Sequence, residues 1–298
     1  MPTLLGLLAI LFFSSGIACS RSLSVQVGIV AANATAMLFA GVLGYALEAL
    51  RSRRIMLFKF SPRYLVVCGS LFVISQVAFY LAIGLCVTHE QAIVAGLINY
   101  LWCGLAVVAS IPILSKKSRW PLIPGCITAF GGVVLATFGT NGWSGRQYGG
   151  VLIPYALAAT GAIAWSLYCN FCRKWQDEAD KSAVPLSLIC AGLVLAGFQS
   201  VLKEQWRWNA SVIPELAFMI VVPILLAYIC WDVGMKKGNH SLILICSYFI
   251  PILSMVVSSI YLHVLPTMSV WIGAMLVLTG AVICKYSLID EMKVDNTL

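Results

Sequence analysis

The feature that most constrains this chain is a succession of uninterrupted apolar stretches, separated by short charged or Gly/Pro-containing turns. A bilayer core about 30 Å thick takes about 20 apolar residues per helical crossing. Stretches of that kind occupy about 3–20, 25–47, 63–87, 91–113, 121–140, 149–172, 184–202, 213–235, 239–262 and 266–288. Their hydrophobicity is continuous and does not alternate with period two, which excludes the strands of a transmembrane barrel. The expected fold is therefore an all-α polytopic membrane protein of ten transmembrane helices. Ten crossings use up nearly all of the 298 residues, leaving no room for a soluble catalytic domain. Only 10% of the residues are charged, against roughly 25% in a soluble domain. The apolar run at 2–19 has no Lys or Arg before it. It lacks the charged start of a signal peptide and reads as the first membrane helix.

The distribution of basic residues sets the expected orientation. With the N-terminus inside, the inner loops hold Arg51, Arg53, Arg54, Lys59, Arg63, Lys116, Lys117, Arg119, Arg173, Lys174, Lys181, Lys236, Lys237, Lys285 and Lys293. Only Arg21, Arg146, Lys203 and Arg207 fall outside, so 15 of the 19 cations are inside. That asymmetry predicts both termini on the cytoplasmic side. The formal charge of +8 then reads as basic cytoplasmic loops, and no nucleic-acid partner is expected.

A second regularity appears at an offset of 148 residues. It places Tyr100 on Tyr248, Leu105 on Leu253, Val108 on Val256, Gly125 on Gly273 and Gly132 on Gly280. The segment PGCITAFGGVVL (124–135) thus answers IGAMLVLTGAVI (272–283). The expected organisation is a first repeat of five helices at 1–140, a linker at 141–148, and a second five-helix repeat at 149–290. Five is odd, so the second repeat enters the membrane from the opposite face. Two inverted repeats around a central cavity are a usual construction of secondary transporters.

Buried ionisable groups are the default functional candidates in a membrane, yet no acidic residue occupies the centre of a span. Glu48, Glu90, Glu215 and Asp232 lie near span ends; Asp177, Glu178, Asp180 and Glu204 lie in loops. A proton relay through a midplane carboxylate is therefore not expected. His240 near the start of the ninth span, and an ion pair of Asp232 with Lys236 four residues on, are the further candidates among the ionisable groups. The cysteines sit mostly inside apolar runs as packing residues. Cys169 and Cys172 have CxxC spacing without a second such pair, so neither a metal nor a cofactor is expected.

The polar groups inside the spans are neutral. Asn99 must find a partner on another helix or in a hydrated cavity, because lipid offers none. Near it and its counterpart Ser247 stand Tyr100 and Trp102, Tyr80, Trp165 and Tyr168, and Tyr248. Trp120, Trp143, Trp206, Trp208 and Trp271 lie near span ends and fit the interfacial belt. Tyr100, Trp102, Trp165 and Tyr248 lie well inside. Each offers an apolar face for stacking and a polar tip for orientation. An integral membrane enzyme would need a buried catalytic cluster, which the few His, Asp and Glu at span ends do not form.

The words THEQAI (88–93), INYLW (98–102), PGCITAFGGV (124–133), TGAIAWSLYCNFCRK (160–174), GNHSLI (238–243) and SYFIPILS (247–254) run through both halves. On them the chain resembles the drug/metabolite transporter superfamily, in its branch with paired EamA-type repeats. The resemblance implies a central cavity and export of hydrophobic amino acids such as Phe, Tyr and Trp across a bacterial inner membrane, with a monomer as the expected unit. It also implies a cavity lined by Asn99, Tyr100 and Trp102, by Trp165 and Tyr168, and by Ser247 and Tyr248. Tyr80 is added from its position alone. Multidrug and nucleotide-sugar-like transport share the same fold. Relatives commonly carry Pro after NYLW, where this chain has Cys103, which leaves open whether span 4 bends as theirs does; Pro251 keeps the counterpart.

Overall fold

In lipid each backbone N–H and C=O needs an internal partner, so a chain this apolar folds as helices. The computed structural model describes residues 1–52, 61–141, 148–175 and 183–289. The helices in chain order are α1 (Pro2–Ser14), α2 (Gly16–Gln26), α3 (Ala31–Ser52), α4 (Pro62–Leu85), α5 (His89–Asn99), α6 (Trp102–Leu114) and α7 (Leu122–Asn141). They continue with α8 (Tyr148–Lys174), α9 (Val184–Leu202), α10 (Ile213–Met219), α11 (Ala227–Lys237), α12 (His240–Ser247), α13 (Ile250–Tyr261) and α14 (Met268–Tyr286). Among the described residues, eight helical stretches are long and apolar enough to cross a membrane; Leu122–Phe138 and Ile250–Tyr261 are shorter apolar helices. Most of the expected linker, at 142–147, lies outside the described residues.

Several stretches expected as single helices are broken. The first divides at Ser15, the fourth at Tyr100–Leu101 and the ninth at Tyr248–Phe249. At the fourth, Leu101 N donates to Ile98 O (3.1 Å) and Cys103 N to Tyr100 O (3.3 Å), three residues back where a continuous α-helix bonds four back. Span 4 thus breaks without the proline, one turn before Cys103. Pro251 lies in the first turn of α13, where its missing N–H costs nothing. Pro223 sits in a π-helical segment, Ile220–Leu226, joining α10 to α11, while Pro154 is carried within α8. Thr88 and Gln91 form a capping box that starts α5 directly after α4 ends.

The helices pack chiefly in pairs: α7 with α14, α3 with α9, α4 with α8, and α1 with α11. The first pair is drawn together by the glycines of the sequence repeat. A Cβ on Gly132 would meet Gly273 O and Val277 N, and one on Gly280 would meet Gly125 O and Ala129 N. Small residues let membrane helices approach to backbone contact. Gly125 and Gly132 meet Gly280 and Gly273 in reversed order, so α7 and α14 run antiparallel. A two-residue antiparallel ladder, Lys117–Ser118 on Leu288–Ile289, joins the start of one to the end of the other.

Arg21 departs from its expected place in an outer loop. Helix α2 continues to Gln26 and carries Arg21 into the bundle at 5% exposure. Its guanidinium donates to Cys86 O, to Val87 O (2.8 Å) and to Ile83 O (3.5 Å), the free carbonyls where α4 ends. The negative end of the α4 dipole and these acceptors stand where a counter-ion would otherwise be needed.

Candidate substrate site

The words INYLW and SYFIPILS both fall on helix breaks. Asn99 ends α5, Tyr100 occupies the break and Trp102 opens α6; Ser247 ends α12 and Tyr248 occupies the break before α13. Asn99 finds the partner it requires on another helix, its Nδ2 donating to Ala158 O of α8 (3.3 Å). Gly161 makes this approach feasible, since a Cβ there would fall 2.8 Å from Asn99 Nδ2.

Three of the expected residues meet directly. Trp165 lies 5.0 Å, ring to ring, from Tyr168 and 6.3 Å from Trp102. The cluster extends further than the sequence reading. Phe72 of α4 contacts Trp165 (5.7 Å), Tyr168 (5.4 Å) and Tyr228 (5.8 Å); Tyr228 of α11 contacts Trp165 (6.2 Å) and Phe13 of α1 (5.2 Å); Phe13 contacts Trp231 (6.1 Å). Phe72 is wholly buried, whereas the other rings are half-buried and keep part of their faces open. The Tyr228 hydroxyl lies near Gln76 of α4. Tyr228 and Phe72 are thus members that sequence reasoning missed. For Tyr228 a signal existed, because it follows Tyr80 by the same 148 residues that relate the glycines.

The remaining expected residues lie around this cluster. Tyr80 is buried in α4, close to Tyr100 and Tyr228. Tyr248 packs with Cys103 and Ala281, next to Trp102, and Ser247 is buried beside it. Tyr100 borders a void of about 10 Å³ with Ile17, Leu97, Pro251 and Ser258. That volume holds about one water molecule and is too small for an amino acid. The side chains of Asp232, Lys236 and His240 lie outside the described residues.

The void marks where the bundle is shut. There α2 packs on α4, α5 and α13, and α5 on α13. Arg21 adds its bonds to the end of α4, Gln26 Nε2 donates to Glu215 Oε2 (2.9 Å), and Thr267 N donates to Glu90 Oε1 (2.8 Å). Nearby, the Glu204 carboxylate accepts from Ile29 N and from Val30 N (3.0 Å), and Arg207 N donates to Val27 O (2.9 Å). At the opposite end, among the described residues, no comparable packing joins α6 or α8 to α11 or α12. The aromatic cluster lies between the shut end and this parted one. Chemically it offers ring faces, the carboxamides of Asn99 and Gln76, and several hydroxyls. The described acidic side chains lie at helix ends or in loops: Glu48, Glu90, Glu204 and Glu215.

Comparison with known proteins agrees with this architecture. Residues 152–285 match the EamA-like transporter family. A protein of Salmonella typhimurium named aromatic amino acid exporter YddG is 30% identical over 286 residues, covering 95% of this chain and 96% of the relative. Its namesake in Escherichia coli is 30% identical over 291 residues with the same coverages. An uncharacterized transporter of Bacillus subtilis, YvbV, is 28% identical over 192 residues, covering 61% of this chain and 63% of its own. One solved structure superposes with a TM-score of 0.68 at 24% identity over 96% of both chains, a likeness of fold. With helices long and apolar enough to cross the membrane, broken at the NYLW and SYF words, and with full-length relatives named as exporters, this multi-span chain is a transporter and not an enzyme: it belongs to the EamA-like transporter family.

Proposed function

We propose that the chain exports aromatic and other hydrophobic amino acids across the bacterial cytoplasmic membrane by alternating access, with no obligatory proton relay through a midplane carboxylate. The observation that carries this reading is the partly buried cluster of Trp102, Trp165, Tyr168 and Tyr228 in a region whose described polar groups are neutral. An apolar ring is recognised there by stacking. In this reading the amide of Asn99 and the hydroxyls of Tyr100 and Tyr228 orient the substrate's polar end once the shut end parts. The relatives' names, which say aromatic amino acid exporter, point to the same substrates.

Alternating access follows from a ten-helix arrangement of two inverted repeats, 1–140 and 149–290, joined by 141–148. The helix pairing supports it. Exchanging the first five spans with the second five carries the α7–α14 and α3–α9 pairs onto themselves and the α4–α8 pair onto α1–α11. The antiparallel run of α7 against α14 is what inversion of the repeats requires. With both termini cytoplasmic, the shut end is external and the parted end faces the cytoplasm, the state in which an exporter loads its cargo. A monomer contains both repeats and is the proposed unit.

Phenylalanine flux through purified protein in liposomes is expected to saturate and to follow the substrate gradient, with rates agreeing within about twofold in the presence and absence of a pH gradient. Flux that stops when the pH gradient is collapsed would overturn the facilitator mechanism.

A further inference from the structure

The α7–α14 seam brings two thiols together. Cys126 Sγ and Cys284 Sγ lie 3.7 Å apart, one on each helix. The backbones are close here as well: a Cβ on Gly125 would fall 3.0 Å from Cys284 N. A disulfide needs Cα atoms roughly 4.4–6.8 Å apart and sulfurs brought to about 2.05 Å. The helices are in backbone contact one residue away, at Gly125, and the sulfurs already stand at van der Waals distance, so the bond needs only a short further approach of the two side chains. Cys126 stands four residues after the start of α7 and Cys284 two before the end of α14, beside the ladder of Lys117–Ser118 with Leu288–Ile289. Cys126 is only partly buried and stands about one turn inside the start of α7, within reach of a small neutral oxidant such as hydrogen peroxide.

We propose that Cys126 and Cys284 are a redox-responsive dithiol that closes into a disulfide across the seam, tying the first 140 residues to the second half. The oxidant is a hydroperoxide. The Cys126 thiolate attacks the distal peroxide oxygen, giving a sulfenic acid and releasing the alcohol, or water when the oxidant is hydrogen peroxide. The Cys284 thiolate then attacks that sulfur; the S–S bond forms and hydroxide leaves, taking up a proton as water. Two thiols and one hydroperoxide become one disulfide, one alcohol and one water, and two electrons pass from sulfur to oxygen. A dithiol reductant reverses the bond by exchange. In the N-inside orientation proposed above, this end faces the cytoplasm, where thiols rest reduced. The bond then forms under oxidative load.

A second thiol pair, Cys68 with Cys172, lies between α4 and α8 and would also join the halves, so the test must separate the two. In the full chain, a protease site is placed within 142–147 and every cysteine except Cys126 and Cys284 is replaced by serine. After hydrogen peroxide and cleavage, the halves are expected to stay joined on a non-reducing gel in most of the protein and to separate with dithiothreitol. Cys126→Ser or Cys284→Ser is expected to cut the joined fraction at least tenfold. Should the multiply substituted protein fail to fold, the same bond is read by mass-spectrometric mapping of peptides from the otherwise native, peroxide-treated chain. A linked peptide pair containing Cys126 and Cys284 supports the dithiol. Halves that separate despite peroxide in folded protein, or a map with both thiols free, would overturn it.

Discussion

Replacing Trp165 by alanine is expected to raise the half-saturation concentration for phenylalanine about tenfold, while the purified protein stays monodisperse. Among the described residues Trp165 contacts four other rings at 5.0–6.3 Å, more than its cluster partners, and is only partly buried. An aromatic pair contributes about 0.5–1.5 kcal/mol beyond the area it buries. Losing that contact with substrate, together with some apolar area, amounts to about 1.4 kcal/mol, or tenfold. The cost to folding is smaller than the roughly 3–5 kcal/mol of a sealed aromatic-to-alanine cavity, because Trp165 is only partly buried. Trp165→Phe keeps a ring and is expected to stay within about threefold. Proteoliposome flux over a range of phenylalanine concentrations measures both variants; an alanine variant with unchanged half-saturation would remove Trp165 from the site.

Arg21→Ala is expected to loosen the shut end. The guanidinium donates to the carbonyls of Ile83, Cys86 and Val87, joining α2 to the turn between α4 and α5. Hydrogen bonds to a charged group are worth about 1.5–3 kcal/mol each, but burying the charge offsets much of that. A net loss of about 1.4 kcal/mol already shifts the balance between shut and open states tenfold. Cys86 is a native reporter, only 4% exposed beneath this contact. Its labelling by a membrane-impermeant maleimide is expected to quicken at least tenfold in Arg21→Ala. In Arg21→Lys, whose single ammonium cannot span the same acceptors, the effect should be intermediate. With Cys86→Ser as the blank, an unchanged labelling rate in Arg21→Ala would show that the guanidinium does not hold this end.

The sequence carries the helices and the repeated glycine spacing, which follow from local hydropathy and short spacing, while Asn99, Tyr100, Trp102, Trp165 and Tyr168 come as a set from the family resemblance of their words. What it hides is set by distant partners. Arg21 reads as a loop cation until the end of α4, more than 60 residues on, is seen to accept it. Glu204 reads as a loop acid, yet it accepts from the amides of Ile29 and Val30 at the start of α3, 174 or more residues away in sequence. Phe72 has no polar tip and looks like any core ring, although it joins Trp165 to Tyr228. The breaks at Ser15 and Tyr100 carry no proline, so hydropathy passes over them as continuous spans.

Substrate choice tests recognition by ring stacking most directly. Purified protein in liposomes, loaded with radiolabelled phenylalanine, is challenged with an excess of each of the twenty amino acids and with an aromatic cationic drug and a nucleotide sugar. A ring-stacking site without a fixed counter-charge predicts strong competition from tryptophan, tyrosine and phenylalanine, weaker competition from leucine and methionine, and almost none from aspartate or lysine. Competition by the drug or the nucleotide sugar with none from the aromatic amino acids would contradict it.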